Sequence, residues 1–93
     1  MARTTITRIR DLVRQINYVV TAHAADELDD DQLSIHDLEA VILTGAIIER
    51  QRDQASGETK LVIRGSATSG AKAECVVKIG PTGRLIVITV YRD

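Results

Sequence analysis

The chain has 93 residues, a formal net charge of −1 and 44% hydrophobic residues. That suffices for one small domain burying about 60–65% of the surface of its unfolded chain, and a second independent core is not expected. Phe and Trp are absent and only Tyr18 and Tyr91 are aromatic, so the core must be aliphatic and little ring area is left for stacking bases.

Ile6, Ile9, Val13 and Ile16 recur every three or four residues and predict an N-terminal helix over residues 1–17, with Arg8, Arg10 and Arg14 outside its apolar face. Arg3 joins these against Asp11, giving residues 1–25 a charge of +3. Asn17 marks the end, and Tyr18, Val19 and Val20 read as a short strand that opens a core over residues 18–93. Thr21 can cap a second helix, placing Ala22, His23, Ala24, Ala25 and Leu28 in or facing the interior and Asp26, Glu27, Asp29 and Asp30 outward.

In SIHD, Ser34 and Asp37 have capping-box spacing and start a third helix. Its expected buried stripe is Ile35, Leu38, Val41 and Ile42, with Gly45 ending it in a left-handed conformation. Residues 26–39 hold seven acidic side chains and no Lys or Arg, a charge of −7, while residues 40–93 return +3. A field this dipolar leaves a polyanion partner open despite the small net charge.

Beyond Gly45 the apolar period falls from about 3.6 to 2 and the chain reads as four strands: AIIERQ, TKLVIRG, AECVVKI and RLIVITVY. Short connections favour an antiparallel meander, with Pro81 at the second position of the GPTG turn and Gly83 easing its exit. Leu85 to Val90 is apolar almost throughout, so both faces of the last strand are expected to be covered. The fold class is α+β: two to three helices on one face of a mainly antiparallel sheet of four to five strands, in a single domain. The loop at 65–71 is the main mobile candidate.

No apolar run approaches the ~20 residues of a membrane span, and MARTTITRIRDLV lacks the apolar segment of a secretory signal. With Cys75 as the lone cysteine, read as a buried or half-buried strand thiol, a soluble protein of the reducing cytoplasm is expected.

Among residues able to carry chemistry, His23 stands out because a histidine in a first helical turn lies beside free backbone N–H groups, a setting for a general base next to a phosphate. The competing reading is a half-buried histidine bonded to the backbone. His36 reads as a surface residue. Asp29, Asp30 and Asp31 suggest a hard cation, but consecutive helical residues point about 100° apart and cannot converge, so no metal and no cofactor is expected. Lys60, Arg64, Lys78, Arg84 and Arg92 give the strands positive charge, with Lys60, Val62 and Arg64 on one face by parity.

The order of a short strand entering T-x-H-A, a helix, a capped S-I-x-D-L helix ending in Gly, and a last strand ending I-V-I-T-V-Y resembles the bacterial domain-of-unknown-function family 4258. That family is similar to the RelE and ParE toxin group of ribonuclease-like folds. The resemblance spans Tyr18 to Arg92 and implies a RelE-like helix-plus-sheet domain acting on RNA or the ribosome, restrained by an antitoxin or another protein. The family pattern continues H-A-x-x-R-x-x-x-R. His23 matches its first position, whereas Glu27 and Asp31 stand at the two arginine positions and would repel an RNA phosphate.

If the chain is an active, metal-independent ribonuclease, His23 acts as general base or acid, Arg64 and Arg84 stabilise phosphate charge and Tyr91 positions the scissile bond. The same RelE-like reading covers an RNA-acting toxin or a degenerate ribonuclease, and the alternative to it is a non-catalytic interaction module. In the latter, the acidic face from Asp26 to Glu39 meets a basic partner, or a sheet edge pairs with another chain, including a second copy.

Overall fold

The structure, a computed structural model, describes residues 4–92; Arg3 of the basic N-terminal segment lies outside the described residues, as does Asp93. The elements run α1 (Thr5–Arg14), β1 (Tyr18–Val20), α2 (Ala22–Asp30), α3 (Ile35–Thr44), β2 (Ala46–Arg52), β3 (Thr59–Ser66), β4 (Lys72–Ile79) and β5 (Leu85–Arg92). The sheet order is β1-β5-β4-β3-β2: the last four strands form the antiparallel meander, and β1 adds in parallel to β5. This is an α+β fold with the three helices over the sheet face carrying Leu61, Ile63, Cys75, Val77, Leu85, Val87 and Val90, which join Ile9, Leu38, Val41 and Ile42 in the core. No helix among the described residues is long and apolar enough to cross a membrane.

Several local expectations are corrected. Gly45 is extended (φ −86°, ψ 175°), and the left-handed residues that close helices are Ile16 (φ 54°) and Gln32 (φ 57°). Each follows its helix in a Schellman-type closure, with Asn17 N–H donating to the Leu12 carbonyl and Leu33 N–H to that of Leu28, both at 2.8 Å. Ile16 therefore leaves the apolar face of α1 and is 74% exposed. Gly45 serves close approach instead: a Cβ there would stand 2.5 Å from the Val41 carbonyl oxygen, and one on Gly65 would overlap the same oxygen, so α3 lies directly on β3.

Arg10, expected on a solvated face, reaches across α1 and donates to the Gly45 carbonyl at 2.8 Å. It supplies the cation that the last turn of α3 lacks. Ile35, expected in the stripe of α3, is 41% exposed because it sits in the first turn, before the helix reaches the sheet.

The capping box at Ser34 and Asp37 is present, and Asp37 does more than cap. It also accepts from the backbone and hydroxyl of Thr68, so the segment expected to be mobile is tied down. Residues 65 and 66 continue β3, Ala67 is buried, and Ala67 N–H donates to the Ala71 carbonyl at 2.8 Å. The bonds from the Thr68 hydroxyl and from the Ser34 and Thr68 backbones hold the Asp37 carboxyl well below the usual carboxylate range.

β5 alternates, with Leu85, Val87 and Val90 buried beneath the helices and Ile86, Ile88 and Thr89 only half-buried on the opposite, open face. The expectation that both faces are covered fails because all three helices pack on one side. Register slips between Val76 and Val77, whose partners are Thr89 and Val87, so Ile88 is a bulge residue and inward parity shifts from odd to even positions.

Candidate functional site

The bulge decides where α2 docks. β1 covers β5 only from Leu85 to Val87, and beyond Ile88 the backbone of β5 turns its Val90 and Arg92 N–H groups toward α2. Thr21 joins the elements: its hydroxyl accepts from Ala24 N–H at 3.1 Å as helix cap and lies 3.2 Å from the Ile88 carbonyl oxygen. About two and three turns on, Glu27 Oε1 accepts from Val90 N–H and Asp31 Oδ2 accepts from Arg92 N–H, each at 3.0 Å. Residues four apart on a helix thus meet residues two apart on a strand.

Glu27, expected outward, is therefore turned to the sheet, and two side chains stand in for a missing neighbouring strand. Arginine at either position has no acceptor to offer these N–H groups.

His23 sits on the outer side of the same turn, its imidazole 70% exposed, with Nε2 3.3 Å from Glu27 Oε1. The carboxylate orients the ring, giving an exposed His–Glu pair in place of a half-buried histidine. Ala22 and Ala25 are exposed as well, and α2 buries only Ala24 and Leu28.

On the open face a second group converges. Arg64 (β3), Glu74 (β4) and Tyr91 (β5) form one cross-strand row. Glu74 Oε2 accepts from Arg64 Nη1 at 2.8 Å and Oε1 accepts from the Tyr91 hydroxyl at 2.9 Å. Arg84 is not part of it. It lies exposed at the β4–β5 turn, and seven residues of strand separate it from Tyr91 by about 23 Å.

The four residues singled out in the sequence thus fall in three places: His23 on α2, Arg64 with Tyr91 on the open face, and Arg84 at a hairpin. Glu74, which links the second pair, was missed; its signal was parity, since it alternates with inward Ala73 and Cys75 and so shares a face with Arg64. Other open-face cations are likewise engaged, Lys78 with Glu58 at 3.0 Å and Lys72 with the Ser66 hydroxyl at 2.9 Å. Val62, between Lys60 and Arg64, is buried among these side chains.

The acidic segment proves to be largely internal wiring. Glu27 and Asp31 bind β5, Asp37 binds Thr68, and Glu39 accepts from the Tyr18 hydroxyl at 2.6 Å. Burial, then this bond and the Glu39 charge, push the Tyr18 phenol up to about 12. Of its seven acidic residues only Asp26, Asp29 and Asp30 are left exposed. Among the described residues no three His, Cys, Asp or Glu side chains gather as a metal would require. Cys75 is fully buried, and burial followed by the Glu74 charge pushes its thiol up to about 12, far from a nucleophile's range.

Comparison with known families matches residues 20–92 to the family described as Domain of unknown function (DUF4258), and the chain belongs to that family. Comparison with curated proteins and with solved structures gave no match.

Proposed function

We propose that this DUF4258 domain is a RelE-like, degenerate ribonuclease that binds a protein partner through the outer face of α2 and does not cut RNA. The observation that carries this reading is the pair of bonds from Glu27 and Asp31 to the β5 backbone. The acidic residues at the two arginine positions of the resemblance are built into the fold, so α2 has no cation with which to hold a phosphate. Its solvated carboxylates, Asp26, Asp29 and Asp30, favour a basic partner such as an antitoxin segment.

The test is a cell-free bacterial translation reaction with RNA ends mapped, run beside capture of a lysine-rich peptide. Translation is expected to proceed unchanged, and peptide capture to be lost on Asp26→Lys, Asp29→Lys and Asp30→Lys together. Glu27 and Asp31 are unsuitable for this reversal because both hold β5.

A second reading draws on the Arg64–Glu74–Tyr91 row, where a guanidinium, a carboxylate and a phenol meet on the open face. In it Arg64 stabilises phosphate charge, Tyr91 positions the scissile bond and Glu74 takes the proton, while His23, on α2, and Arg84, at the β4–β5 turn, take no part. RNA cleavage that Tyr91→Phe or Glu74→Gln abolishes would replace the first reading with this one.

A further inference from the structure

α3 is pressed onto the Gly65 end of β3, held there by Gly45 and Gly65, and so leaves the Thr59–Leu61 end of that strand to the start of α1. Between them opens a cleft of about 400 Å³, within the range of small-ligand sites. Leu61 and Ile79 form its apolar floor, Thr59 and Thr5 lie at its lip, and Arg50 and Glu58 stand at the rim.

The register explains the arrangement. Arg50 is the direct cross-strand partner of Leu61, so its side chain leaves the sheet on the helix side, next to the buried leucine. Arg52, partner of Thr59, follows on the same face. Glu58 does not neutralise the rim, because its carboxylate is already paired with Lys78 at 3.0 Å. The Arg50 side chain has no hydrogen-bond or ion-pair partner among the described residues.

From this we infer that the cleft is a binding site for a small organic anion with a short apolar body, such as an aliphatic carboxylate, whose chain lies on Leu61 and Ile79 and whose charge meets Arg50. A guanidinium offers a carboxylate two parallel N–H donors, and the aliphatic floor makes the neutral part of the ligand contribute. The site is independent of the α2 face and of the Arg64–Glu74–Tyr91 row, which lies on the opposite side of the sheet.

The experiment is a titration of the isotopically labelled protein with hexanoate, following backbone amide shifts. Saturable shifts are expected at Gly57, Thr59 and Leu61, with dissociation constants raised about tenfold by Arg50→Gln and by a smaller factor by Arg50→Lys, which keeps the charge but not the paired donors. Arg50 is exposed, so unchanged circular dichroism is expected for both variants. Absence of saturable shifts at tens of millimolar hexanoate would overturn the site. Hexanol binding as tightly as hexanoate, or binding indifferent to Arg50→Gln, would overturn the role of the anion.

Discussion

Glu27 and Val90, 63 residues apart, are joined by a carboxylate oxygen that accepts the strand's N–H at 3.0 Å, where a neighbouring strand would otherwise have supplied a carbonyl. Because the carboxylate is ionised and only 25% exposed, its loss leaves Val90 N–H without a partner in a half-covered site. Glu27→Ala is expected to cost about 1–3 kcal/mol, and Glu27→Arg at least as much. Asp26→Ala, on the solvated side of the same helix, should stay within about 0.5 kcal/mol. Urea unfolding of the three variants measures this, and equal stability of Glu27→Ala and Asp26→Ala would remove the strand-capping role.

Gly45 and Gly65 set how closely α3 approaches β3. A Cβ at Gly65 meets the Val41 carbonyl and the Gly45 backbone, which are not side-chain ends that can swing away. Gly65→Ala is expected to destabilise by about 3 kcal/mol or more. Gly57→Ala, at φ +73° but with open space around it, should lose only about 1 kcal/mol from backbone strain. Thermal melts rank the two, and the reverse order would refute the close-approach argument.

Asp37 links the start of α3 to the β3–β4 loop, and its carboxyl is depressed chiefly by the Thr68 hydroxyl bond, then by the Ser34 and Thr68 backbone bonds. A depressed folded pKa means the contribution is complete above the unfolded value near 4 and is lost as pH falls through the folded value. Stability is therefore expected to decline below about pH 4 more steeply in the wild type than in Asp37→Asn. Parallel curves for the two, from denaturant midpoints at several pH values, would show that Asp37 contributes nothing to acid sensitivity.

Tyr18 titrates in the opposite sense. Its folded pKa, raised to about 12 by burial and then by Glu39, lies above the usual value of 10.0. Its contribution is thus full below pH 10 and lost as pH rises toward 12. Tyrosinate absorbance should show a late step that Tyr18→Phe removes and Glu39→Gln moves to lower pH, while burial keeps that step above the ordinary phenol range. A late step unmoved by Glu39→Gln would leave burial as the whole cause.

These contacts also show where sequence reading reached and where it stopped. Apolar period and turn chemistry sufficed for three helices and the meander, because helix faces, the Ser34–Asp37 box and the Pro81 turn are set by neighbours in the chain. The helix closures at Ile16 and Gln32, the extended Gly45 and the exposed Ile35 were local misses, and the failures at Arg10 and at the candidate site lie at long-range contacts. Arg10 looked solvated because its acceptor is the Gly45 carbonyl, and Glu27 looked outward because its donor is in β5. Glu74 went unnoticed because cross-strand partners depend on register, and the bulge at Ile88 makes register unreadable from alternation alone. Arg64 and Tyr91 were drawn from charge and from the family resemblance, and only the sheet reveals that they share a carboxylate.

Cys75 offers a readout that joins the first of these relationships to the stability of the whole sheet. Its thiol is fully buried in the core, paired across β4 with Ile63 and Val90, the residue whose N–H Glu27 holds. With its pKa pushed up to about 12 by burial and then by Glu74, it carries almost no thiolate at neutral pH and no path for a reagent. A disulfide reagent should therefore label it only through opening of the sheet, at a rate set by the open population when closing is fast. Each 1.4 kcal/mol of destabilisation then accelerates labelling about tenfold, so Glu27→Ala should react roughly 5 to 140 times faster than wild type, and Asp26→Ala within about twofold of the wild-type rate. Rapid labelling of the wild type would mean that the β4–β5 pair opens locally without unfolding. Unchanged labelling of Glu27→Ala would mean that the edge bond to Val90 does not help keep it closed.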